Sequence, residues 1–105
     1  MADISKNWRR AKMTKKTVKF TLEGIGKLPN NKPVVYKILT KNNTNNYTGI
    51  AKKGRVADRL TEHLPKGKDP IPGAKIQIEQ MSSIKEAQVK EENILSRSNP
   101  KYNRK

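Results

Sequence analysis

The sequence predicts an α+β domain, a small three-stranded antiparallel sheet flanked by helices and preceded by a basic N-terminal extension. Three observations carry that expectation. Short runs at 34–39, 47–51 and 74–81 have the β-branched and aromatic content, or the strict alternation, of strands. Segments 55–64 and 84–98 repeat apolar residues with helical period. Basic residues crowd the start of the chain, where few large apolar groups occur before Val18.

Residues 1–33 hold nine basic and two acidic side chains, so residues 1–17 read as a basic arm and 18–105 as the folded domain. Val18, Phe20 and Leu22 alternate with Lys19, Thr21 and Glu23, the pattern of a half-buried strand or an extended arm of the sheet. Gly24, Gly26, Pro29 and Pro33 then break the chain. Val34–Leu39 is a strand by composition and length. The polar stretch 41–46 is rich in asparagine, which tolerates the positive φ of hairpin turns, so Tyr47–Ala51 should return antiparallel to the first strand. In 55–64, Val56, Leu60 and Leu64 form one stripe, and Pro65 stops the helix. A basic loop rich in Pro and Gly leads to the alternating strand 74–81. Ser83 and Glu86 have capping-box spacing, opening a helix that ends before Asn99-Pro100.

The 105 residues carry 24 Lys+Arg against 9 Asp+Glu, a net charge of +15. The commonest partner for so strong a positive field is a phosphate backbone, although lysines also serve simply to keep a surface soluble. No apolar run follows the basic N-terminus, so neither a secretory leader nor a membrane span is expected, and a cytoplasmic location is. With no cysteine and one histidine, disulfides, thiol catalysis and Cys- or His-rich zinc sites lack their residues. There is no GxxxxGK[ST] loop and no GxSxG elbow, and the few acids are scattered.

Projection of the last helix at 100° per residue puts Ile84, Ala87, Glu91, Ile94 and Leu95 on one face. Glu91 interrupts an apolar stripe. A carboxylate there needs either a Lys or Arg partner or a bound cation. On the first helix, Arg59 and His63 stand one turn apart at the border of the apolar stripe. Tyr36 and Tyr47 fall on adjacent strands, where two tyrosines ordinarily pack as cross-strand partners.

This ordered set resembles the GIY-YIG nuclease domain. Val34-Val35-Tyr36 stands at the GIY position and Tyr47-Thr48-Gly49 at the YIG position; Arg59-Leu60-Thr61-Glu62-His63-Leu64 is similar to the family's arginine helix. Ala87–Leu95 resembles its A-x-x-x-E-x-N-x-I segment, and Pro100-Lys101-Tyr102-Asn103 follows at the expected distance. The likeness spans roughly residues 33–104. It departs from the pattern at Val34-Val35, at Thr48, and in a longer loop before Arg59 that makes Arg55 a rival for the arginine role.

The resemblance implies a metal-dependent DNA endonuclease that hydrolyses phosphodiester bonds with a single divalent cation, Mg²⁺ or Mn²⁺. Glu91 would hold the cation and Arg59 the scissile phosphate. One of Tyr36 and Tyr47, unranked by sequence, would position and deprotonate the attacking water. Gly49 would let backbone approach the phosphate, and Asn103 would orient site groups from the chain's end. Lys52, Lys53, Arg55 and His63 complete the expected nucleic-acid contacts. DNA backbone is the implied partner, with either weak sequence selectivity or a larger protein supplying it, and no membrane involved. The alternative is a catalytically inactive basic nucleic-acid-binding module on the same scaffold.

Overall fold

The computed structural model describes residues 15–103. Its elements are β1 (Lys15–Lys19), α1 (Leu22–Gly26), β2 (Val34–Leu39), β3 (Asn45–Ala51), α2 (Val56–Glu62), β4 (Lys75–Gln80), α3 (Ile84–Arg97) and a closing 3-10 turn (Lys101–Asn103). The expected basic arm 1–17 lies outside the described residues except for Lys15–Thr17, which belong to β1.

The expected three-stranded sheet is corrected to four strands, all antiparallel, in the order β1-β4-β2-β3. The added strand is the half-buried strand or extended arm expected from Val18 onward, and it lies earlier, at Lys15–Lys19, because it is an edge: only Val18 is half-buried, and Lys15, Lys16, Thr17 and Lys19 are exposed. Edge lysines of this kind also discourage pairing with another chain. The alternation read through Leu22 ends sooner. Phe20 turns into the core, and the Thr21 hydroxyl accepts the Gly24 N–H at 3.0 Å, which starts α1 and leaves Leu22 exposed.

Successive β2 residues face opposite sides, and both sides are covered. Val34, Tyr36 and Ile38 join Ile76 and Ile78 of β4, Ala51 of β3, Val56 and Leu60 of α2, and the buried Phe20, Ile25 and Ile71. On the other side, Val35 meets Ala87 and Ile94 of α3, with Ile50, Met81 and Ile84 around them. The first cluster is the larger, and each fully buried aliphatic side chain in it stabilises the fold by roughly 1.5–3 kcal/mol. The helix α3 begins as its sequence requires, with the Ser83 hydroxyl accepting the Glu86 N–H at 3.1 Å. In the β2–β3 turn, Asn43 takes φ 69°, the positive φ expected of that asparagine-rich stretch.

The helix α3 lies along β2 and β3. On that side of the sheet the polar residues Gln77 and Glu79 of β4 and Lys15 of β1 remain partly or fully exposed. Among the described residues no helix is long and apolar enough to cross a membrane.

Candidate functional site

The hairpin register brings the two tyrosines together. Tyr36 pairs with Gly49 and Ile38 with Tyr47, so the phenols are diagonal neighbours on one face. Tyr36 leans across Gly49 and stacks on Tyr47, with ring centroids 6.0 Å apart and planes 24° apart. A Cβ on residue 49 would lie 2.6 Å from the Tyr36 hydroxyl and 2.9 Å from Tyr47 Cε1. Glycine is therefore needed here for tyrosine packing. The space expected to admit a phosphate is filled by the phenols.

His63 follows the last turn of α2 and is 1 % exposed, against the sequence expectation of a residue touching nucleic acid. The helix ends at Glu62, and the His63 ring turns inward onto both tyrosines, with centroids 5.7 Å from Tyr36 and 4.8 Å from Tyr47. Its Nδ1 lies 2.9 Å from the Asp69 carbonyl oxygen and its Nε2 2.8 Å from the Tyr36 hydroxyl. A carbonyl can only accept, so Nδ1 donates; in the neutral ring Nε2 then accepts the phenolic O–H. His63 positions Tyr36. Asp69 holds the ring through its backbone carbonyl, with its carboxylate Oδ2 also 3.9 Å from Nδ1.

Arg59 stands one turn earlier on α2, with Nη1 3.2 Å from Glu62 Oε1 and its side chain 40 % exposed. Burial works against its charge, but Tyr36, Glu62 and Tyr47 more than offset that and raise its pKa. Its rival Arg55 is out in solvent, paired to Asp58 at 3.3 Å. The same environment acts on Tyr36, which is fully buried. Burial, and then the Tyr47 phenol, push its pKa far above the ordinary tyrosine value, with Arg59 opposing. Tyr36 is a neutral phenol at any ordinary pH. Tyr47 is the more exposed of the pair.

Asn103 reaches back from the 3-10 turn to the free edge of β3. Its Oδ1 accepts the Thr48 N–H and its Nδ2 donates to the Thr48 carbonyl, both at 2.8 Å. The amide thus pairs the edge strand as another strand would, and fixes the backbone between Tyr47 and Gly49. Thr48 itself is buried, its hydroxyl accepting from Asn45 Nδ2 at 2.8 Å. The backbone-bridging function of Asn103 is a positioning one.

Glu91 belongs to the opposite side of the sheet, on α3, and is half-buried. Among the described residues no hydrogen bond or ion pair engages its carboxylate. Burial raises its pKa above the ordinary glutamate value, and neighbouring Glu92 adds to the shift. By helical spacing Glu91 lies on the same flank of α3 as Ile84 and Gln88. Ile84 and Gln88 of that flank face Arg55 and Arg59 across a cleft beside β3. The cleft, of about 290 Å³, is lined by Ile50 and Ala51 of β3 and Lys52 just after it, by Arg55 and Arg59, and by Ile84 and Gln88. Lys52 and Lys53 are both exposed beside it.

The strand β3 is thus the divide between two half-sites. On one side are two stacked phenols, an imidazole and a guanidinium; on the other is a carboxylate with no partner among the described residues. Among the described residues no group of three or more His, Cys, Asp or Glu stands together as a ready-made metal cage. A cation at Glu91 would draw its remaining ligands from water and a bound phosphate, as Mg²⁺ commonly does. The unpartnered, partly buried carboxylate is compatible with that. No family model matches the chain, and no curated protein or solved structure matches it either.

Proposed function

We propose that the protein is a metal-dependent endonuclease of the GIY-YIG kind, hydrolysing phosphodiester bonds in DNA with one divalent cation. The observation that carries this reading is Glu91, a partly buried carboxylate without a cationic partner among the described residues, on a chain of net charge +15. The described residues hold many Lys and Arg side chains, and none of those is paired with it.

Arg59 binds the scissile phosphate from the mouth of the cleft, its planar fork matching two phosphate oxygens and stabilising the charge that grows in the transition state. Tyr47, the more accessible phenol, hydrogen-bonds the attacking water and orients it. Tyr36, held neutral by burial and tied to His63, keeps Tyr47 in place. Glu91 would hold Mg²⁺ or Mn²⁺, which when bound supplies Lewis-acid stabilisation of the phosphate. Lys52, Lys53 and Arg55 contact backbone phosphates along the cleft rim.

Supercoiled plasmid incubated with Mg²⁺ or Mn²⁺ tests the proposal. Wild type nicks it and EDTA stops the reaction, while Glu91→Ala lowers the rate by about 10²-fold or more with salt-sensitive binding retained. Equal nicking by the variant would refute the assignment of Glu91. The complete burial of the Tyr36 hydroxyl favours a second reading, a binding module without turnover. Duplex binding by wild type with no cleavage of supercoiled, relaxed or branched DNA would establish that one instead.

A further inference from the structure

We propose that the uncovered half of the sheet, on the other flank of α3, is a phosphate-binding groove where Lys15, Lys37, Lys90 and Arg97 converge on one oxyanion. The groove exists because α3 lies along β2 and β3 and leaves β4 and β1 open on that side. A cavity of about 200 Å³ results, lined by those four cations together with Gln77 and Glu79. The four come from three separate elements: Lys15 from β1, Lys37 from β2, and Lys90 and Arg97 seven residues apart on one row of α3.

Glu79 is the acid that lines this cavity, set against four cations. It lies 3.8 Å from Lys90 Nζ, a loose ion pair between side chains 38 % and 24 % exposed. Lys37 is the residue that asks for an explanation. It is half-buried on an inner strand, and among the described residues no ion pair engages it. Burial first, then the charges of Lys15, Lys90 and Arg97, push its pKa down, with Glu79 opposing. Burying an ammonium among like charges is unfavourable unless an anion joins them. A phosphate oxyanion supplies the missing charge, with three ammonium heads as point donors and the Arg97 guanidinium as a planar fork.

This groove lies on the far flank of α3 from Glu91 and does not depend on the cleavage proposed above. It can therefore be probed with EDTA present. The full chain is titrated with inorganic phosphate, followed by NMR of the backbone amides, against chloride at equal ionic strength. Phosphate should shift the amides of Lys37, Gln77, Lys90 and Arg97 where chloride does not. Arg97→Gln, at an exposed position, should weaken binding by about fivefold, and Glu79→Gln should tighten it. A duplex oligonucleotide then separates the sources of the phosphate. Displacement of inorganic phosphate by duplex marks the groove as a contact for nucleic-acid backbone, and simultaneous binding of both marks it as a site for a small phosphorylated ligand. Shifts no larger than those of chloride, or affinities unchanged in both variants, would overturn the proposal.

Discussion

Two residues show how far single positions dictate the site. Gly49 has no room for a methyl group, because the Tyr36 hydroxyl and ring already occupy the place where a Cβ would project. Gly49→Ala should displace the tyrosine stack and lower stability by about 1–3 kcal/mol, read as a fall in the midpoint of urea unfolding; a midpoint equal to wild type would show that the stack yields freely. Glu91 behaves in the opposite sense, since its ionised form is the one the fold disfavours. Its folded pKa lies above the unfolded one, so the associated stability is full below the ordinary glutamate pKa of about 4.3 and is lost as pH rises through the folded value. Glu91→Gln, which cannot ionise, should melt above wild type at pH 8 by circular dichroism, and the gap should close on acidification to pH 4. A gap that widens in acid would mean that the carboxylate is paired. Of the residues considered, Glu91 was plain in the sequence from helical periodicity alone. The inward turn of His63 was hidden, because the last residue of a helix can leave its axis in either direction.

At the scale of elements, legibility followed burial. The strand at Val34–Leu39 and the helix beginning at Ile84 were legible because both faces or a full stripe of each are packed. The strand β1 was legible only in part, as a strand or extended arm from Val18 onward, since four of its five residues are exposed and its pairing to β4 runs through backbone that carries no side-chain signal. The short helix α1 was masked by Gly24 and Gly26, which read as breakers, and rests instead on the Thr21 cap. The edge strand β3 has a different dependence. Its outer backbone at Thr48 is satisfied by the Asn103 amide across 55 residues of sequence, so the end of the chain closes the site. Asn103→Ala should release both bonds and cost about 1–2 kcal/mol. Amide hydrogen exchange gives the check: faster exchange at Thr48 is expected, with β4 amides unchanged, and unaltered Thr48 protection would remove this role from Asn103.

At the scale of the whole molecule, the sheet divides the chemistry. The phenols, His63 and Arg59 belong to the face covered by α1 and α2, Glu91 to the helix on the other face, and the two meet around the free edge of β3 where the cleft opens. The excess of 24 basic over 9 acidic residues gives the molecule a positive field, in which the Glu91 carboxylate is a local exception. The measurement that bears most directly on this arrangement is a Mn²⁺ titration followed by electron paramagnetic resonance. It compares wild type and Glu91→Gln, each with a short DNA duplex present and the duplex alone subtracted. Wild type should bind one Mn²⁺ per chain and the Gln variant should lose it; identical Mn²⁺ binding by the two proteins would contradict the account.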